Sequence, residues 1–318
     1  MGYRIMSVNQ KWTIQMKNSI DGVMRPQIDP FEKSVFYVSD GLHSTFSSMR
    51  FRKLSIETGE EQANVLTRDG TRCIYCDKEN VYAFLNKRIL KLRRSDLTIA
   101  DEYKERIPRY TDYVNSDGAN IFLLGNHNAD SLSVFDLRTG RGHRKKIGGC
   151  CGIFRTESDT FLIFNYNSIL EYSLKSNKLN KIVDTENYTQ CARGKTGRVY
   201  LLSGGVHYSS TRIASAEYKI LIYSFVPEIR IEKVIFIPEE ICGHLCDAMT
   251  FRLSEDEKWL YLFDSHSIWI YSIYEDMIIF QYTFSANIQN VLAEESFVIT
   301  SRSSGKGYEA AGWRIENI

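Results

Sequence analysis

Ile121-Phe122-Leu123-Leu124, a polar turn, then Ser131-Leu132-Ser133-Val134-Phe135-Asp136 and the closing Leu137-Arg138-Thr139-Gly140 make up one unit of a pattern that runs through the whole chain. An unbroken apolar run of three to five residues, bounded by turn residues, reads as a strand. The second, strand-like run closes on Thr-Gly, Ser-Asn or Glu-Asp. The same opening run returns as Val35-Phe36-Tyr37-Val38, Val81-Tyr82-Ala83-Phe84-Leu85, Phe161-Leu162-Ile163-Phe164, Val199-Tyr200-Leu201-Leu202, Leu260-Tyr261-Leu262-Phe263 and Phe297-Val298-Ile299. The runs start roughly every 40 residues, the spacing of a unit that cannot bury its apolar face alone and must stack on its neighbours. One longer gap, about 60 residues between the fifth and sixth runs, holds a polar insertion at 204–217, and lengthening a surface loop adds little closure entropy.

Within the third unit four strands are expected, at 109–114, 119–124, 131–136 and 142–147. The fourth repeats them at 152–155, 160–164, 169–173 and 179–183, and the sixth at 248–253, 258–263, 267–273 and 277–283. Connections of two to six residues imply antiparallel meanders. Four strands at this period predict an all-β, seven-bladed β-propeller occupying residues 1–318 as one domain. The seventh unit runs out after three strands. Residues 11–16, Lys11-Trp12-Thr13-Ile14-Gln15-Met16, alternate polar and apolar, and are expected to complete it as the outer strand, closing an edge that would otherwise invite aggregation.

Val134-Phe135-Asp136-Leu137-Arg138-Thr139-Gly140 resembles the third-strand ending and turn of WD-repeat and related seven-bladed propellers. Leu54-Ser55-Ile56-Glu57-Thr58-Gly59, Tyr172-Ser173-Leu174-Lys175-Ser176 and Tyr271-Ser272-Ile273-Tyr274-Glu275 are fainter copies. The resemblance lies in the fold and spans nearly the whole chain. It implies a scaffold, and scaffolds of this kind carry many unrelated functions.

Composition narrows the partners. Nineteen Tyr and 17 Phe against five Pro favour strands. A net charge of +1 gives no overall pull toward nucleic acid or an anionic membrane, so neither is expected as a partner. The basic runs 87–94 and 138–146 read as solvated rims. No run approaches the roughly 18 apolar residues of a membrane span, and Met1-Gly2-Tyr3-Arg4-Ile5-Met6 lacks an apolar signal core. A cytoplasmic, monomeric protein is expected, its seven Cys kept as thiols.

Candidate binding residues follow from the turns between second and third strands and the links between blades, which emerge on one face around the central channel. Loops converging on a rigid scaffold are where binding residues gather. These turns differ greatly in length. His43, His127, His207, Tyr208, Arg212, Asp264, His266 and Arg302 fall in or beside them, and Tyr110 and Arg193 on the links. The expectation is a non-catalytic scaffold presenting this face to a protein or peptide. The alternative is an enzyme or small-molecule site lined by His, Asp and Arg at the channel mouth.

Motifs of chemistry are sparse, and no cofactor is expected. Cys73-x-x-Cys76 has metal-ligand spacing without a second pair and reads as buried thiols. Cys242, His244, Cys246 and Asp247 could gather a soft divalent metal, but crowding in a short link argues against it. Gly194-Lys195-Thr196-Gly197 has Thr189 where a phosphate loop needs its first Gly, and no helix follows, so it reads as a hairpin turn. Gly149-Cys150-Cys151-Gly152 reads as packing rather than as a nucleophile.

Overall fold

The computed structural model describes residues 7–17, 27–39, 50–107, 111–126, 131–156, 159–209, 212–225, 228–238, 241, 250–264, 266–284, 290–294, 296–304 and 307–316. After β1 (Ser7–Lys17) the chain forms strands that pair in fours. The first blade is β2 (Gln27–Ile28), β3 (Ser34–Ser39), β4 (Arg50–Ser55) and β5 (Glu61–Leu66). The second is β6 (Thr71–Cys76), β7 (Asn80–Leu85), β8 (Arg88–Arg93) and β9 (Ile99–Lys104). The third is β10 (Thr111–Ser116), β11 (Ile121–Asn126), β12 (Ser131–Asp136) and β13 (Arg141–Lys146). The fourth is β14 (Cys150–Arg155), β15 (Thr160–Asn165), β16 (Ser168–Ser173) and β17 (Lys178–Asp184). The fifth is β18 (Tyr188–Arg193), β19 (Val199–Ser209), β20 (Arg212–Ser224) and β21 (Arg230–Phe236). The sixth is β22 (Thr250–Leu253), β23 (Trp259–Phe263), β24 (Ser267–Ser272) and β25 (Met277–Thr283). In the seventh, β26 (Asn290–Glu294), β27 (Phe297–Ser304) and β28 (Gly307–Glu316) are joined by β1, in the order β1-β28-β27-β26. Seven four-stranded antiparallel blades, the last completed by the N-terminal strand, are what the repeat predicts.

By packing, the chain divides into two compact units. One comprises Met1–Met16, Ile56–Gly59 and Asn187–Ile318, the other Lys17–Ser55 and Glu60–Glu186. In both, burial explains the apolar runs. Along β7 and β15 all five residues after the first are buried, and β24 is buried throughout, because middle strands are covered on both faces. Outer strands are mostly exposed, as in β9 and β13.

Five of the turns joining third to fourth strands share one backbone device. Gly59, Leu97, Gly140, Asn177 and Asp276 occupy them with φ of 72°, 58°, 63°, 54° and 57°. In three of them the left-handed residue's amide donates to the carbonyl four residues back: Leu97 to Arg93, Gly140 to Asp136 and Asp276 to Ser272, each at 2.9 Å. Leu97 is fully buried, and its burial offsets a backbone cost of about 1–2 kcal/mol.

Neighbouring blades are clasped at these same turns. In one unit, Tyr271 Oη donates to Asp276 Oδ1 at 2.6 Å. Lys233 on β21 of the preceding blade pairs with that carboxylate and donates to the Ile273 carbonyl at 3.1 Å. In the other, Tyr172 Oη donates to Asn177 Oδ1 at 2.8 Å, beside His143 Nε2 at 3.2 Å, and Lys145 donates to the Asn177 carbonyl at 2.9 Å. Trp12 is the counterpart on β1. Its indole Nε1 donates to the Ile56 carbonyl at 2.7 Å, and a Cβ on Gly59 would stand 2.7 Å from its ring. Gly312 on β28 is likewise covered by the indole and has no room for a side chain.

Two outcomes test this packing. Trp12→Ala should lower the unfolding free energy by about 3–5 kcal/mol and Trp12→Phe by about 1 kcal/mol or more for the lost hydrogen bond; deleting residues 1–17 should be at least as damaging. Chemical denaturation reads all three, and unchanged midpoints would show that β1 does not carry the last blade. Lys233, then Tyr271, hold the Asp276 carboxyl below its usual range. A depressed carboxylate contributes stability above its unfolded pKa, about 3.9, that is lost as pH falls through the lower folded value. Asp276→Asn should therefore lose less stability than the parent between about pH 5 and pH 2, read from urea midpoints at each pH.

Candidate functional site

In an antiparallel meander, the turns between first and second and between third and fourth strands lie at one end of a blade, and the turn between second and third at the other. The unit holding the fifth to seventh blades shows the second end in most detail. There β19 and β20 pair well beyond the blade, from Val199↔Tyr223 to Ser209↔Arg212, with one bulge between His207 and Tyr208. Likewise β27 and β28 pair from Phe297↔Arg314 to Ser304↔Gly307. Two β-ribbons thus extend the same end of the fifth and seventh blades. In the sixth, the corresponding connection runs from Phe263 to Ser267 only.

The first ribbon differs from the sequence expectation. The described residues of 204–217 are not a loop but paired backbone, because the chain continues the β19–β20 ladder outward to Ser209↔Arg212. Gly204 sits at its base with φ 118°, where a Cβ would land on the Glu217 carbonyl oxygen. Only glycine satisfies that backbone without strain.

Six of the ten candidate residues come to this end of the unit: His207 and Tyr208 on β19, Arg212 on β20, Asp264 and His266 between β23 and β24, and Arg302 on β27 opposite Glu309. Arg193 does not join them. It is the last residue of β18, facing Val199 next to the hairpin of Gly194 and Gly197, so it stands at the other end of its blade. His43, Tyr110 and His127 lie outside the described residues, as do Cys242, His244, Cys246 and Asp247.

The chemistry of Asp264 is structural. Its Oδ1 accepts the amides of His266 at 2.7 Å and Ser267 at 2.6 Å, while its own amide donates to the Ser267 carbonyl. This carboxylate is committed to shaping its turn. Among the described residues no group of three or more His, Cys, Asp or Glu side chains is placed to hold a metal ion.

The other chemical motifs resolve into packing. Cys73 and Cys76 stand three apart on β6, an odd spacing that sends them to opposite faces. Cys73 joins the cluster around Phe84 and Phe122, and Cys76 the one around Phe36 and Phe51. Burial raises the Cys76 thiol pKa and pushes that of Cys151 up to about 12, which suppresses thiolate chemistry. Where a phosphate loop would bind its anion, Gly194-Lys195-Thr196-Gly197 instead holds Glu257, which accepts the Thr196 amide at 2.6 Å, the Thr196 hydroxyl at 2.8 Å and the Tyr200 hydroxyl at 3.0 Å.

No known family profile matches the sequence, and no curated protein sequence matches it significantly. The backbone does resemble solved structures. The β-propeller domain of Cps50 (Swd1) from Myceliophteria thermophila superposes with a TM-score of 0.67 at 9% identity, covering 97% of this chain and 99% of that one. The chain is a seven-bladed β-propeller. BamB from Moraxella catarrhalis is similar at a lower level, with a TM-score of 0.52, 11% identity and coverage of 90% and 83%. For this propeller the likeness shows the fold alone, across almost all of its length. The sequence copies at Leu54 and Tyr271 correspond to real third-strand turns.

Gly204→Ala should cost about 1–3 kcal/mol of stability through backbone strain. Guanidinium denaturation measures it, and a midpoint equal to the parent's would show that the ribbon base tolerates an ordinary residue.

Proposed function

We propose that this propeller is a non-catalytic binding scaffold, and that the end of the fifth to seventh blades bearing the two β-ribbons is presented to a protein or peptide partner. The observation that carries this reading is the pair of ribbons extending the fifth and seventh blades at the end where the sixth has only a short turn. Neither extension is needed to complete a blade, since the sixth makes its four strands without one. Paired backbone gives each projection a defined shape at a lower ordering cost on binding than a loose loop of equal length would incur.

The residue types agree with that use. The first ribbon carries His207, Tyr208 and Arg212, and the second Arg302 and Tyr308; Tyr and Arg are the common anchors of protein interfaces. Catalysis receives less support, because the carboxylate of Asp264 is engaged with backbone amides. The thiols of the described cysteines suit a reducing compartment, and the cytoplasm is the proposed location.

Replacing residues 205–216 by an Asn-Gly turn should leave circular dichroism and the denaturation midpoint near the parent's, while removing a protein that the full chain captures from extracts of its own cells. Mass spectrometry of the captured material identifies the difference. Retention of every captured protein by a folded, shortened variant would overturn the reading.

A further inference from the structure

The outer strand of the third blade, β13, reads Arg141-Gly142-His143-Arg144-Lys145-Lys146, and all of it is exposed except half-buried Lys145. With the preceding turn, residues 137–146 hold Arg138, Arg141, Arg144, Lys145 and Lys146 and no carboxylate, in a chain whose net charge is only +1. Three other outer strands, β9, β17 and β21, mix their signs, and none carries as many cations without an acid. β9 carries Asp101, Glu102 and Lys104, β17 has Lys181 paired with Asp184, and in β21 Glu232 is held by Arg198. Acids near β13 do little to offset it. Asp136 is taken by Arg138, at 3.0 Å to Nε and 2.8 Å to Nη2, and Glu105 of the second blade stands beside Gly142.

The strand also ends its sheet, in the order β10-β11-β12-β13, and among the described residues no strand pairs with its outer edge. Half of an edge strand's amides and carbonyls point away from its partner and form a template for one more strand. Lysines on an edge normally repel such additions. That repulsion reverses for an incoming strand of opposite charge. Gly142 leaves one position without a side chain, where another backbone can approach closely. His143 and Lys145 are held against Asn177 of the next blade, which fixes the strand's orientation and leaves Arg144 and Lys146 on the alternate face.

We propose that the outer edge of β13 binds an extended acidic peptide segment as an added fifth strand. Main-chain hydrogen bonds supply the pairing, and carboxylates spaced two residues apart meet the Arg144 and Lys146 row. A nucleic acid offers phosphates but cannot alternate donors and acceptors along the edge, so the strand geometry favours the peptide. This edge uses none of the ribbon residues, and its test is independent of theirs.

The test is fluorescence anisotropy on the full chain at low and near-physiological salt, with a labelled peptide of about eight residues alternating Glu and Val. Saturable binding is expected. N-methylation of alternate amides, in each of the two registers, should weaken it about tenfold in at least one, and the double variant Arg144→Glu with Lys146→Glu by about tenfold or more. Both substituted residues are exposed, so circular dichroism should be unchanged. Lack of binding by the parent chain overturns the proposal. So does undiminished affinity for both N-methylated peptides, or an affinity for single-stranded DNA equal to that for a peptide of the same charge, since either marks a patch that attracts any polyanion.

Discussion

A blade assembled from the two ends of a chain holds only as well as its last strand is anchored, and Trp12 supplies that anchor. β1 contributes an edge strand to the seventh blade, and the indole lies over Gly312 within that blade and against Gly59 in the turn of the first, hydrogen-bonded to Ile56. Both neighbours must be glycine, or nearly so, because the ring fills the space a Cβ would need. One aromatic side chain thereby links β1 to the sheet formed by β26, β27 and β28. Apolar burial, a hydrogen bond and two vacated Cβ positions act at one point.

The same logic, in polar form, recurs between other blades. The Tyr271, Asp276 and Lys233 group and the Tyr172, Asn177, His143 and Lys145 group occupy equivalent places, the third strand, the left-handed turn position and the preceding blade's outer strand. Surface ion pairs are individually weak. Here both lysines satisfy a turn carbonyl, and for Lys233 the ion pair with Asp276 reinforces that bond. The buried faces supply most of the adhesion between sheets, and the clasps fix how each outer strand meets the next turn.

Much of this was legible in the sequence because burial on both faces writes long apolar runs. β12 and β25 fall on their expected bounds, and β16 and β24 within a residue of theirs. What was not legible depends on continuation and on ends. Gly204, Gly205 and the Ser-Thr stretch after them have the composition of a loop, and only the ladder from Ser203↔Lys219 to Ser209↔Arg212 reveals a ribbon. A signal was present in Val206, Ile213 and Ala216, apolar residues in a segment that a solvated loop would make polar. Arg193 reads as part of a link because the sequence does not mark the bounds of β18; a six-residue strand spans about 20 Å, and the structure puts Arg193 at its far end.

The left-handed turn residue shows why likeness here is found in coordinates and not in letters. Glycine, leucine, asparagine and aspartate all fill it, at φ values within 18° of each other. The units differ in chemistry while sharing a torsion angle, and an angle leaves no single residue for a sequence signature to match. In such a chain the repeat is carried by backbone geometry, which several different side chains can serve equally well.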